Sequence, residues 1–254
     1  MNGVEILFDE VWDHISGWKG WLREDQARLL WKGATKVKNG AQVVEIGSFH
    51  GKSASVLLAG THDSVRINAI DPHAGTDRGP GEWVVAAELG EGDHGIFWRN
   101  IRTFTMAIAG SEVPERFNYI RKFSSDAIED VEGNLDLLYI DGAHSYVDVS
   151  KDIKLWSTKV DSSGELFIHD VFNSVGVTLA VLQRMVLSNR WRLIARAHSL
   201  CEFEKVDIGA AEVIRKVLWF LVHSPLLLRA VLVRRMQNSR FGNWSRIAQL
   251  KRGY

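Results

Sequence analysis

The chain has 254 residues, 46% of them apolar, which suits one large α/β domain with additions or two small domains. Lys plus Arg equals Asp plus Glu at 31 each, so no overall field draws the protein to nucleic acid. The single cysteine, Cys201, excludes an internal disulfide and a cysteine-based zinc site, and fits a reducing cytoplasm.

The opening stretch MNGVEILFDEVWDHISGWKGW carries acids where an export signal needs a positive start and an apolar run, so a cytoplasmic location is expected. Trp12, Trp18, Trp21 and Trp31 suit helical packing or, alternatively, stacking on a sugar. In residues 20–37, Leu22, Ala27, Leu30 and Ala34 recur at helical spacing. AQVVEIG is a short apolar run stopped by glycine, the pattern of a buried parallel strand. KSASVLLAGT continues as a helix, and VRINAIDPH is the next strand, ended by Pro72. Residues 74–98 are rich in glycine and charge and show no clear element. They are predicted to form a lid or insertion in which Arg78 and Trp83 are candidate glycan contacts.

FNYIRKFSSDAIEDV reads as strand, polar loop and helix, and LDLLYIDGAH is the strongest strand pattern. SYVDVSKDIKLWSTKV is an amphipathic helix whose Asp148 and Asp152 are expected on a solvated face, with Asp148 placed to orient His144. GELFIHDVF is another strand, GVTLAVLQRMVLS another helix, and WRLIARAHSLCEFEK a strand or hairpin. Strands alternating with helices predict a doubly wound, Rossmann-like, mostly parallel sheet with helices on both faces, spanning residues 1–208. Residues 209–254 form a basic, apolar helical tail. Its run 217–233 is interrupted by His223, Pro225 and Arg229, so no stable membrane span is expected. The tail suits pairing of subunits through Trp219, Phe220 and Leu221 into a homodimer or higher oligomer, or contact with a membrane surface.

VVEIGSFHGKS, residues 43–53, is a near miss for a phosphate loop. That pattern needs four residues between its glycines, and only Ser48, Phe49 and His50 separate Gly47 from Gly51. His50 and Lys52 are expected to be solvated. Ligands of doubly wound sheets sit beyond the carboxyl ends of the strands. Those ends offer Glu45, Gly47 and Ser48; Asp71; Ser124, Ser125 and Asp126; Asp141, Gly142 and His144; and His169 with Asp170. Asp71, 24 residues after Gly47, is placed to hydrogen-bond ribose hydroxyls, while the glycines a pyrophosphate would need are missing. A ligand with a ribose and no phosphate fits, and S-adenosylmethionine is such a ligand. His73 is a loop histidine or a substrate contact.

VVEIGSFHGKSASVLLAG, INAIDPH, LDLLYIDGAHSYVDVSKDIKLW and GELFIHDVF resemble the motifs of class I S-adenosylmethionine-dependent methyltransferases. They particularly resemble the branch that methylates sugar hydroxyls with a divalent metal. The D-G-x-H-x-Y followed by H-D is the most specific part, and the resemblance covers about residues 25–185. It implies a Rossmann-like domain with a reversed C-terminal strand, S-adenosylmethionine as donor, a magnesium site and an oligomer. The implied substrate is a saccharide or oligosaccharide, such as a methylated mannoside taken at its 1-hydroxyl in polysaccharide synthesis. By position, Gly47 is the close-approach glycine, Glu45 and Ser48 flank the methionine end, and Ser53 reaches its carboxylate from the helix start. Asp71 binds ribose, and Ser124 sits beside adenine with Ser125 and Asp126 in support. Asp141, which also borders the cofactor, His169 and Asp170 match metal positions, and His144 matches the general base. Some relatives carry a carboxylate where this chain has His169, so His169 is expected either as a metal ligand, better tolerated by manganese than by magnesium, or as a contact to metal-bound water or substrate. A catechol-type small-molecule O-methyltransferase and a non-catalytic glycan- or nucleotide-binding module are the rival readings.

Overall fold

The computed structural model describes residues 6–75 and 87–238, so Arg78 and Trp83 lie outside the described residues. Among these, seven strands form one sheet in the order β3-β2-β1-β4-β5-β7-β6. They are β1 Gln42–Ile46, β2 Arg66–Ile70, β3 Phe117–Ile120, β4 Leu135–Ile140, β5 Val160–Ile168, β6 Trp191–Ala197 and β7 Leu200–Lys205. The first five run parallel, and β7 lies antiparallel between β5 and β6. The C-terminal stretch is therefore a hairpin, and the reversed strand is present.

Neighbouring residues on each strand feed opposite layers, which is why the central strands are mostly apolar on both faces. Val44, Ile46, Leu138, Ile140, Leu166 and Ile168 join one core. Val43, Leu137, Tyr139 and Phe167 join the other. The first core packs beneath α6 (Tyr146–Trp156), α7 (Val175–Val181) and α8 (Ala210–Asn238). The second packs beneath α1 (Phe8–Ile15), α2 (Glu24–Ala34), α3 (Lys52–Gly60) and α4 (Ala87–Ala109).

Residues 87–98, expected to lack a regular element, open the 23-residue α4 instead. Phe97, Ile101 and Phe104 are buried at spacings of four and three, so packing of one face overrides the poor helix propensity of three glycines in the first turns. The helix expected after Ser124 is short: α5 covers Ser124–Ala127.

The register sets the edge where chemistry can gather. Ile46 pairs with Ile70 and with Ile140, Ile70 with Ile120, and Ile140 with Ile168. Gly47, Asp71, Asp141 and His169 each follow this row and donate a backbone N–H to the neighbouring strand. Residues up to 122 positions apart in sequence thus share one strand edge.

Candidate active site

Gly47 turns out of β1 with φ 90°, a left-handed conformation. A methyl group there would stand 2.2 Å from the Asp141 carbonyl oxygen, so only glycine lets the ends of β1 and β4 meet. Glu45 is fully buried just before this turn, and Ser53 Oγ donates to its Oε1. Glu45 Oε2 and Ser48 Oγ are buried without a well-formed hydrogen bond, although the Ser48 hydroxyl lies near enough to steady the carboxylate, and a ligand donor would complete them. Burial, with the nearby charges of Asp141 and Asp71, pushes the Glu45 carboxyl up to about 7.

The helix after the glycine turn is no phosphate clamp. Lys52 is buried rather than solvated: its ammonium donates to the carbonyls of Ser16 and Trp18 at 3.2 and 3.3 Å and sits 5.0 Å from the Trp12 ring centre. It ties the N-terminal segment to the turn. His50 is buried too, with Nε2 2.7 Å from Asp93 Oδ1 on α4. Both had been expected in solvent. The loop is short and helices α1 and α4 close over it, and a local pattern shows neither.

Asp71 is held by two backbone donors at 2.8 Å, Phe49 N–H to Oδ2 and His73 N–H to Oδ1. His73 is a buried strut, its ring nitrogens 2.5 Å from the Tyr119 hydroxyl and 2.7 Å from the Phe49 carbonyl oxygen. Ser124 Oγ donates to Asp152, which is buried, against the expectation of a solvated face. Burial lifts the Asp152 carboxyl to about 6. Asp148 is the exposed member of that pair; its N–H donates at 3.1 Å to the Ser145 Oγ that caps α6, and its carboxylate accepts from the same hydroxyl at 2.5 Å instead of orienting His144.

At the ends of β4 and β5, ligand atoms of Asp141, His144 and Asp170 all lie within 4.8 Å of one another. His144 Nε2 is 2.9 Å from Asp170 Oδ2, Asn173 Nδ2 donates to Asp170 Oδ1 at 2.7 Å, and the Tyr139 hydroxyl donates to Asp141 Oδ2 at 2.9 Å. Asp170 itself has φ 60°, strained for a residue with a side chain, as functional sites often are. His169 Nδ1 lies 3.0 Å from Asp141 Oδ1 and 3.5 Å from Asp170 Oδ1. Burial lowers its basicity, but the two carboxylates outweigh this and raise it to about 10. Opposed to it, burial is outweighed at Asp170 by His169 and His144, which hold that carboxyl well below its usual range.

These groups border one cleft of about 480 Å³, lined by Gly47, Ser48, Ser53, Asp71, Ser124, Ser125, Asp141, His144 and Asp170. Trp21, 42% exposed, forms part of its wall and packs 5.4 Å from the Phe49 ring centre.

The sequence profile of a methyltransferase-domain family matches residues 44–171, half of the chain. The chain belongs to this family. No curated protein sequence matches it. Among solved structures, a methyltransferase of Podospora anserina with S-adenosylhomocysteine bound is 14% identical, with 81% of this chain and 91% of that one covered at a TM-score of 0.56. A Bacillus cereus O-methyltransferase in complex with S-adenosylhomocysteine is 13% identical (79% and 90% covered, TM-score 0.53), and the O-methyltransferase NovP is 15% identical (78% and 88%, TM-score 0.55). At such identities the likeness is one of fold.

In this methyltransferase nine of the expected site residues line the cleft; Glu45 and His169 are buried outside its lining, and Asp126 is exposed away from it. Asp126 pairs only with its neighbour, accepting from Ser125 Oγ at 3.2 Å. The donor chemistry fits a divalent cation: two carboxylates and an imidazole converge, and Asp141 and Asp170 would hold it. The imidazole in that set is His144, and His169 lies outside it. Sequence reasoning missed Tyr139, Asn173 and Asp93 as supports. Only Asn173 left a signal, an amide three residues beyond the H-D pair.

Proposed function

We propose that this methyltransferase is an S-adenosylmethionine-dependent O-methyltransferase that methylates a saccharide hydroxyl, such as the 1-hydroxyl of a methylated mannoside, with a divalent cation and His144 as general base. The observation that carries the proposal is the juxtaposition of the Asp141, His144 and Asp170 cluster with the Gly47 turn in one cleft. The donor brings a methyl group on a cationic sulfur, and its amino-acid end suits the turn, where Glu45 Oε2 and Ser48 Oγ lack a well-formed hydrogen bond. Asp71, fixed by two backbone donors, presents its remaining lone pairs to ribose hydroxyls. A cation, magnesium or manganese, held by Asp141 and Asp170 would supply Lewis acidity that lowers the pKa of an aliphatic hydroxyl.

This chain's residues do the rest. Asp170 fixes the orientation of the His144 ring, and His144 takes the hydroxyl proton. The alcohol oxygen accepts the methyl group, leaving S-adenosylhomocysteine. Trp21 offers a flat apolar face at the cleft wall for a sugar ring to stack on.

A radiolabelled-methyl assay over mannosides and rhamnosides, with catechol in parallel and with or without chelator, tests this. Label should enter a sugar, chelator should abolish transfer, and H144A should lower kcat by about 10²- to 10⁴-fold. Faster methylation of catechol would favour the small-molecule reading. Cofactor binding without turnover on any acceptor would favour a binding module.

A further inference from the structure

The helix α8 has two unlike faces. Inward, Phe220 is buried, and Lys216 Nζ donates to the carbonyls of Met185, Ser188 and Trp191 at 2.8, 2.7 and 2.6 Å. Trp219, Phe220 and His223 surround Phe172, two residues beyond Asp170. Outward, Ile214, Leu218, Leu221, Val222, Leu228 and Leu232 are each half or more exposed. Their spacing traces one continuous stripe along the helix. Residues 210–233 are long and apolar enough to cross a bilayer, with mean hydropathy 1.6, yet only 11% of the most apolar window is buried. So large an uncovered apolar surface marks an interface.

Charge decides what covers it. Residues 209–254 hold nine Lys and Arg against one acid, so the other 208 residues hold 22 against 30. Arg215 and Arg229 are exposed on α8, and Arg234 and Arg235 follow the apolar run. A second copy pairing through this stripe would bring a second set of exposed arginines, Arg215 and Arg229, to the same surface. An anionic bilayer offers apolar chains to the stripe and negative head groups to the arginines. Spanning does not fit, because the inner face is engaged with the fold and Arg229 interrupts the run.

We propose that the outer face of α8 docks on the surface of an anionic lipid bilayer, with the helix in the interfacial plane and its contacts to the fold retained. The methyltransferase would then work at a membrane, connected to it through the helix that packs on Phe172.

Flotation of the full chain with vesicles tests this, using phosphatidylcholine alone or mixed with phosphatidylserine. The chain should float with the mixed vesicles and remain behind with the neutral ones. Binding should weaken steeply toward about 1 M salt, where the screening length falls to roughly 3 Å. Arg215→Gln with Arg229→Gln should weaken binding about 30-fold, near fivefold per basic residue at an anionic surface. Leu221→Glu with Val222→Glu, at exposed positions, should abolish flotation with an unchanged thermal midpoint. The salt series on the unmodified chain stands even if a variant misfolds. Failure to float with phosphatidylserine vesicles, or equal flotation with neutral ones, would overturn the proposal. So would a dimer seen by light scattering that the two glutamates dissolve, since the stripe would then belong to a second copy.

Discussion

Glu45 shows at the scale of one residue what the cleft requires. Its carboxyl has no exposure, one serine donor and one oxygen without a well-formed hydrogen bond. It titrates near 7 in the fold against an ordinary value of 4.5. Between these values the folded chain keeps a proton that the unfolded chain has lost. Stability therefore falls as pH rises through that window and levels off above it, by up to about 3 kcal/mol. Glu45→Gln keeps an acceptor for Ser53 and cannot ionise. In urea unfolding followed across pH, E45Q should match the parent near pH 4 and exceed it at pH 8. Parallel curves at all pH would show that Glu45 is hydrated and carries no such penalty. An acid held at this cost just before the Gly47 turn suits the proposed seat of a cationic amino-acid end at that turn.

Among the elements, α4 best shows how packing outvotes local preference. Gly90 is buried where the helix crosses the end of β2, and an added methyl would stand 2.1 Å from the His73 carbonyl oxygen. Gly92, two residues on, faces open space. Gly90→Ala should therefore lower the unfolding free energy by more than about 1 kcal/mol, by displacing α4 from the His73 strut. Gly92→Ala should raise it by about 0.5–1 kcal/mol, because alanine is the better helix former. Thermal or urea melts of the pair decide it, and a stabilising G90A would show that α4 does not approach β2 closely. The same helix marks where the sequence was hard to read. Strands β1, β2, β4 and β5 were legible because both faces are covered and the apolar runs stop at Gly47, Asp71, Asp141 and His169. The strand-end groups were legible because each follows such a run. The glycines in the first turns of α4 hid it, since the gain from burying Phe97 and Ile101 depends on a distant partner. Asp152 was misread for a related reason. It shares the face of α6 with Asp148, and only the arrival of Ser124 from the β3 loop distinguishes them.

For the molecule as a whole, the question is how much of α8 the fold needs. Sequence alone suggests a tail starting at 209, but the helix is fastened to the core along its inner face. Lys216 satisfies three carbonyls at the end of the segment following α7 and at the start of β6, and Phe220 enters the core beneath α6 and α7. Phe220→Ala removes a buried aromatic side chain and should cost about 3–5 kcal/mol. Val222→Ala, at a site 74% exposed, should change stability by less than about 0.5 kcal/mol. Truncation after residue 208 removes Phe220 and the three Lys216 hydrogen bonds together, so it should destabilise at least as much as F220A. Urea midpoints for the two point variants and the truncation, measured with a common slope, test this ordering. A truncated chain as stable as the parent would mean that α8 merely lies beside the core. The predicted ordering, with loss at 220 and none at 222, would instead describe a helix whose inner half belongs to the catalytic domain and whose outer half meets something else.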